Sequence, residues 1–356
     1  MNVLLAGGGT GGHIEPAMNL ADELVRSDPS VAITALGTPK GLETELVPAR
    51  GYPLALIAPV PMPRKPSKEL LSLPSRIRTA VVETQDVIHR TGTDVVVGFG
   101  GYVSFPAYFA ARRSKIPFVV HEANARPGLA NRVGARFTPH VAENYADTLP
   151  HAVRIGCPLR AQIAELDRSA TRPEAAAFYD LDPSKPTLLV FGGSQGAQRI
   201  NAAVRQVLPE LLAEGVQVLH AVGPKNVVEV EAAPGYRPLP FIERMDLAYA
   251  AADLAICRSG AMTCAELAAV GLPAVYIPYP VGNGEQRLNA APVVAAGGGL
   301  VVDDADFTAA ALQSVVRPLL RDPSRLLEMG ERAASYGIRD AASRLAELTV
   351  RACATK

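Results

Sequence analysis

Residues 7–13 read GGGTGGH and follow directly on the apolar run VLLA. Five glycines in six positions leave a loop almost without side chains, closed by an imidazole. A strand that ends in glycine and opens into a helix presents unpaired N–H groups at the positive end of the helix dipole, and phosphate is the usual guest there. Glycine admits the ligand to the backbone and accepts positive φ. The plainer alternative is a tight strand-to-helix connection with no ligand. Because the same device recurs in LLVFGGSQGAQRI from Leu188, a shared phosphate-binding role gains weight. His13, at the helix start, is a candidate general base. Alternatively it orients the loop or hydrogen-bonds a phosphate, because a helix N-terminus disfavours imidazolium.

Further residues could do chemistry. Glu122, in HEAN with His121 and Asn124, is a second candidate base or an acceptor-positioning carboxylate. Glu266, six residues after the RSGA turn, is a carboxylate that could accept from both hydroxyls of a ribose, or a solvated charge on a helix face. Ser194 in GGSQGA could join amides around a phosphate or cap the following helix. Gly7, Gly9 and Gly12 satisfy G-x-G-x-x-G, but the second strand, VAITALGTP, ends without the acid that would hold an NAD ribose. No G-x-x-x-x-G-K-[ST] occurs, which excludes a P-loop nucleotidase. Asp304-Ala305-Asp306 spells the triplet of metal-dependent sugar transferases, but it lies far downstream and is expected to be a turn and helix cap, so no metal is expected.

The elements that must position these groups follow from the apolar pattern. VLLA, VAITALG, LALIAPV, VVVGFG, PFVVHE, LLVFG, VQVLHAVG, LAICRSG and AVYIPYP alternate with helix-patterned segments. These runs lack the alternation of half-exposed strands, so they predict parallel strands covered on both faces, an α/β doubly wound fold. At 356 residues the chain exceeds one ordinary core, which suggests two domains of about 150 to 180 residues. The strand–Gly/Ser loop–helix unit DVVVGFGGYVSFPAYFAARRSKIPFVVHE parallels DLAICRSGAMTCAELAAVGLPAVYIPYP, so the halves read as similar tandem domains. The expected boundary is at RIGCPLRAQ, giving domains 1–157 and 158–338, with the last helix, 339–356, packing back on the first.

Lys plus Arg and Asp plus Glu are equal at 35 each, so there is no global attraction to nucleic acid. Four cysteines without a C-x-x-C pair argue against a disulfide framework or a zinc site and fit a reducing cytosol. The N-terminus lacks a basic n-region, and no apolar stretch reaches the roughly 18 residues of a spanning helix. Residues 61–81, however, mix Leu70, Leu71, Leu73, Ile77 and Val81 with Arg64, Lys65, Lys68, Arg76 and Arg78. That mixture suits anionic lipid headgroups, or else the leucines form a core face under a solvated basic rim.

GGTGGH, GFGGYVS, HEAN, GGSQGA, FIERM, RSGAMTCAE and EQRLNA, in this order across nearly the whole chain, resemble the MurG family of glycosyltransferases with the GT-B fold. The resemblance implies two Rossmann-like domains facing a cleft. It implies inverting transfer of N-acetylglucosamine (GlcNAc) from UDP-GlcNAc to the 4-hydroxyl of the N-acetylmuramoyl (MurNAc) sugar of lipid I, undecaprenyl-pyrophosphoryl-MurNAc-pentapeptide. The product would be lipid II for peptidoglycan, and so for cell shape and division. It further implies no cofactor, peripheral attachment to an anionic membrane surface at the cytoplasmic face, and no nucleic acid partner. The alternatives are a UDP-sugar epimerase of similar fold or a non-catalytic UDP-sugar-binding protein.

Carried over residue by residue, the resemblance puts Thr10, Gly11, Gly12, Asn124, Arg160, Ser194, Ile242, Arg258, Ala261, Met262, Thr263, Cys264, Ala265, Glu266 and Gln286 at the donor. Gly8, Gly9, Gly100, Gly101, Tyr102 and Ser104 fall at the acceptor pyrophosphate. Arg258 has the alternative of a structural ion pair. The chain departs from the family pattern at Ala123, Ala125, Cys157 and Glu285.

Overall fold

The computed structural model describes residues 1–60, 72–193, 196–224, 226, 232–281 and 283–354. Two compact units divide the chain: Met1–Leu159 together with Asp340–Lys356, and Arg160–Arg339.

The first unit holds strands β1 (Asn2–Gly7), β2 (Ala32–Gly37), β3 (Leu54–Leu56), β4 (Val95–Gly100), β5 (Phe118–Glu122), β6 (Val141–Glu143) and β7 (Val153–Arg154). They form one parallel sheet in the order β3-β2-β1-β4-β5-β6-β7. Its helices are α1 (Gly11–Ser27), α2 (Glu43–Ala49), α3 (Leu73–Thr91), α4 (Ser104–Arg113) and α5 (Leu129–Gly134). The second unit contributes α6 (Ala161–Ala164), α7 (Arg168–Phe178), β8 (Thr187–Phe191), α8 (Gln198–Ala213), β9 (Gln217–Ala221), β10 (Tyr236–Leu239), α9 (Met245–Ala251), β11 (Leu254–Cys257), α10 (Ala261–Val270), β12 (Ala274–Tyr276), α11 (Glu285–Ala295), β13 (Gly299–Val301), α12 (Ala309–Ala311), α13 (Arg317–Leu320) and α14 (Pro323–Tyr336). Its parallel sheet runs β10-β9-β8-β11-β12-β13. The last helix, α15 (Ala341–Ala354), returns to the first unit.

The continuous apolar runs are explained by where alternate side chains go. Val3 and Leu5 pack with Val95 and Val97 against Ile14, Met18 and Leu24 of α1 and Leu345 of α15. Leu4 and Ala6 point the other way and pack with Val96 and Val120 against Val81, Ile88, Ala107 and Tyr108 of α3 and α4. In the second unit, Leu188, Val190, Leu254 and Ile256 pack against Ile200, Val204 and Leu211 of α8. Leu189 and Ala255, alternating with them, are also fully buried. Both sheets are therefore covered on both faces, and neither has a solvent side that would impose a polar alternation.

All nine strands expected from the sequence form. Four more, β6, β7, β10 and β13, are two to four residues long and lie in no apolar run of four or more residues. β10 contains Pro238 and is tolerated because it lies at the sheet edge. On α3, Leu73 and Ile77 are partly buried against the core, while Arg76 and Arg78 are exposed. The apolar residues of that helix thus face inward at i, i+4 spacing, which corrects the expectation that Leu73 and Ile77 belong to a lipid-facing patch; Leu70 and Leu71 lie outside the described residues. Among the described residues, no helix is long and apolar enough to cross a membrane.

Two buried histidines make stability depend on pH. His121 donates Nε2–H to the Gly156 carbonyl at 2.9 Å, and burial lowers its pKa from 6.5 to about 4. His220 sits between Tyr236 Oη (3.1 Å) and Asn201 Oδ1 (3.0 Å), and burial lowers its pKa to about 3. Below pH 6.5 the unfolded chain binds protons that these imidazoles refuse in the fold, so stability falls as pH falls toward those values. Glu122, whose pKa burial raises, opposes the trend, because its folded-state carboxyl takes up a proton before the unfolded one does. The unfolding free energy from urea titrations should therefore drop between pH 7 and pH 5, by about 1 kcal/mol per imidazole per pH unit; a flat profile would show that the histidines are accessible to protons.

Candidate active site

The first glycine turn, between β1 and α1, is shaped from beneath by a carboxylate. Glu43, fully buried at the start of α2, accepts from Gly9 N at 2.9 Å through Oε2 and from Thr38 N and Oγ1 at 2.8 and 3.1 Å through Oε1. Gly9 has φ +87°, the left-handed region in which glycine carries no penalty. Its N–H is already spent on Glu43, so Gly9 does not offer that donor to an acceptor pyrophosphate. Glu43 was not singled out in the sequence, because an acid in the first turn of a helix is ordinary dipole chemistry. Only the fold brings β1 and the β2–α2 connection together over it.

Thr10 is the N-cap residue of α1, but its side chain caps nothing: Oγ1 lies 3.1 Å from His13 Nδ1. The first turn of α1, including Gly11 and Gly12, therefore starts without a side-chain acceptor. The His13 ring lies against the second loop, where a Cβ on Gly100 would stand 3.1 Å from both Cδ2 and Nε2. Burial lowers the pKa of His13, and a hydrogen bond to the Gly8 backbone opposes the shift. At neutral pH the imidazole is neutral. In the tautomer with its proton on Nδ1, Nε2 keeps the lone pair a base needs.

Ser104 and Glu122 take roles other than those expected. Ser104 is fully buried; its Oγ accepts from Gly100 N at 2.9 Å and lies 2.6 Å from Ala6 O and 2.7 Å from Gly100 O. It ties β1 to β4 and has no hydroxyl left for a pyrophosphate. Tyr102, about half exposed, and Gly101 (φ +79°) remain at the loop surface. Glu122 is 3% exposed, and its oxygens take N–H groups from Asn124 (2.9 Å to the backbone), Gly128 (3.0 Å) and the Asn131 carboxamide (2.9 Å). Burial raises its pKa against those donors. A base needs a lone pair turned toward its substrate, whereas this carboxylate anchors the 123–128 loop and so places Asn124.

In the second unit, the N-cap residue of α10 is Gly260, which has no side chain to cap with, so the amides of the first turn take no cap from that residue. Ala261 and Cys264 are buried, whereas Met262, Thr263 and Ala265 are half-buried. Glu266, one turn on, accepts from the fully buried Tyr249 hydroxyl at 2.7 Å through Oε2, which orients its carboxylate. Tyr249 is a positioning partner with no mark in the sequence. Ile242 is 3% exposed, so what it can offer a ligand is backbone. Gln286 accepts from Tyr279 N at 2.9 Å through Oε1, which fixes its carboxamide. Arg160 is half-buried at the head of α6, and Ser194 lies outside the described residues.

Arg258 is held as an ion-pair partner, 2.6 Å from Asp304 and 3.1 Å from the Ile277 carbonyl. That corrects its expected place at the donor. Asp304–Asp306 forms one 3₁₀ turn in which no side chain caps, so the expected helix cap is not made. Among the described residues, no group of three or more His, Cys, Asp or Glu side chains could hold a metal ion.

Two parallel-sheet units of this kind, with glycine turns and uncapped helix starts at the carboxyl ends of their strands, define the GT-B class of glycosyltransferase architecture. Residues 3–143 match the N-terminal domain of glycosyltransferase family 28 and residues 187–345 its C-terminal domain. The chain belongs to glycosyltransferase family 28. It is 59% identical over 365 residues to the UDP-N-acetylglucosamine–N-acetylmuramyl-(pentapeptide) pyrophosphoryl-undecaprenol N-acetylglucosamine transferase of Acidothermus cellulolyticus, covering 100% of this chain and 99% of that one. The transferase of the same name from Streptomyces coelicolor is 58% identical, with 100% and 99% covered. The crystal structure of Acinetobacter baumannii MurG superposes with a TM-score of 0.76 at 28% identity, over 98% of this chain and 99% of that one. A UDP-GlcNAc 2-epimerase from Neisseria meningitidis shares the fold at 14% identity and a TM-score of 0.68, over 99% and 100%.

The anchoring role of Glu122 is checked by Glu122→Gln. The variant should lose about 1–3 kcal/mol of stability, because buried N–H groups lose an acceptor. Its pH–rate profile should keep the wild-type acid limb, and loss of that limb would make Glu122 the base.

Proposed function

We propose that this chain transfers GlcNAc from UDP-GlcNAc to the MurNAc 4-hydroxyl of lipid I with inversion, making lipid II for peptidoglycan. The carrying observation is identity of 55–59% with transferases of that name over 98–100% of the chain. Epimerases share only the fold, at 14–16% identity in the structures compared, and the epimerase reading is not favoured.

In this reading the unit Arg160–Arg339 holds the donor and the unit Met1–Leu159 the acceptor. The 4-hydroxyl oxygen forms a bond to the anomeric carbon as the bond from that carbon to the diphosphate breaks, and the hydroxyl proton passes to His13. A neutral imidazole with a lowered pKa is ready to accept it at pH 7. UDP leaves with the bonding pair, and amides at the start of α10, with Thr263, meet the charge on its diphosphate. Glu266, oriented by Tyr249, accepts from the ribose hydroxyls. Ile242 offers backbone to the uracil, and Asn124 and Gln286 hold sugar hydroxyls. Thr10, Gly11 and Gly12 stand beside the reacting centre, and Tyr102 and Gly101 border the acceptor pyrophosphate. The undecaprenyl chain in the relatives' names puts the reaction at a membrane, which we assign to the cytoplasmic face with peripheral attachment. The exposed Arg76 and Arg78 would meet anionic headgroups there.

Label from UDP-[¹⁴C]GlcNAc should enter a lipid I analogue only when enzyme and analogue are both present; release of label as free sugar or epimer alone would overturn the transferase reading. His13→Ala should lower kcat about 10²–10⁴-fold with a small effect on donor KM, and a kcat within a few-fold of wild type would remove His13 as base. Glu266→Ala should raise donor KM about 10- to 100-fold, the cost of losing hydrogen bonds to a charged acceptor; unchanged donor kinetics would take Glu266 out of the site.

A further inference from the structure

Asp304, the first residue of the triplet after β13, does work that neither a metal site nor a cap would require. Oδ1 lies 2.6 Å from Arg258 Nη1 and Oδ2 lies 3.0 Å from Arg199 Nε. The side chains of Asp304 and Arg258 are each only 12% exposed. Arg199 stands in the first turn of α8, directly after the GGSQGA turn that follows β8, and Arg258 directly follows β11. From there Arg258 reaches the loop after β12, giving Nη1–H to the Ile277 carbonyl at 3.1 Å with its guanidinium 5.3 Å from the centre of the Tyr279 ring. The Tyr279 N–H in turn holds Gln286. β8, β11, β12 and β13 are neighbours in the sheet, so one carboxylate joins loops at the carboxyl ends of four adjacent strands. It also offsets Arg199, whose positive charge at a helix N-terminus the dipole disfavours.

We propose that Asp304 is a positioning residue for sugar-nucleotide binding: by pairing Arg199 and Arg258 it fixes the start of α8, the turn before α10 and Tyr279, which holds Gln286, in one arrangement for a nucleoside diphosphate sugar. The proposal rests on the assignment of the donor to this unit. It makes Arg258 a strut whose charge Asp304 neutralises.

Two physical effects of removing the carboxylate have opposite signs. Asp304→Asn leaves Arg199 and Arg258 without their counter-charge, so the site gains one positive charge, and electrostatics alone would tighten binding of an anionic diphosphate. Loss of positioning weakens it. Titration of the full-length protein with UDP-GlcNAc should show Asp304→Asn binding about tenfold more weakly than wild type, as for a broken partly buried charge pair. Asp304→Glu should recover to within about threefold, and kcat at saturating donor should change by less than about threefold. Binding by Asp304→Asn as tight as or tighter than wild type overturns the proposal. So does an Asp304→Glu variant no better than Asp304→Asn, or a loss of binding that follows only from melting below the assay temperature. If the wild type itself fails to bind UDP-GlcNAc, the donor assignment falls, and the variants then have nothing to position.

Discussion

A turn made of glycine has no side chains with which to hold itself, so its shape must be imposed by acceptors placed beneath and beside it. In this chain those acceptors are buried carboxylates and hydroxyls supplied by neighbouring elements. Glu43 holds Gly9, Ser104 holds Gly100, Glu122 holds the 123–128 loop, and Asp304 braces Arg199 and Arg258. Each inward-facing acceptor consumes some N–H or guanidinium groups. Beside two of the turns, the starts of α1 and α10 take no side-chain cap from their N-cap residues.

Burying an unpaired carboxylate is costly, and here the cost is offset by several hydrogen bonds from neutral N–H groups or by paired cations. Glu43 and Glu122 face backbone, hydroxyl and amide donors. Such an arrangement exchanges adaptability for a fixed backbone. A site that must present amides to a diphosphate gains from that exchange, since ordering paid on folding need not recur on binding. Tyr249 gives Glu266 the same service at a side chain.

The same economy explains the fate of the expected site residues. Chemistry-bearing side chains next to glycine turns divided into two groups, those that touch a ligand in our reading and those that keep the turn in shape. His13 and Glu266 each retain an oriented, partly accessible functional group with one side fixed by a hydroxyl. Ser104 and Glu122 are buried, Arg258 is partly buried, and all three direct polar atoms at the protein. Partners, fixed by the fold, separate the two groups.

The sequence by itself determined the parallel, doubly covered sheets, because strands buried on both faces must be apolar throughout, and that pattern is local. It also determined the family resemblance and the glycine turns, because contiguous residues carry both. The strands β6, β7, β10 and β13 escaped, since they lie in no apolar run of four or more residues, unlike the equally short β3 and β12. Only the tertiary structure decided that Leu73 and Ile77 face the core, that Glu122 is an anchor, that Glu43 holds Gly9, that Tyr249 meets Glu266, and that Asp304 pairs with Arg199 and Arg258. Glu43 meets Gly9 across 34 positions of chain, and Asp304 meets Arg199 across 105. Pairings at that separation are fixed by the order of strands in the sheet, which no local pattern encodes.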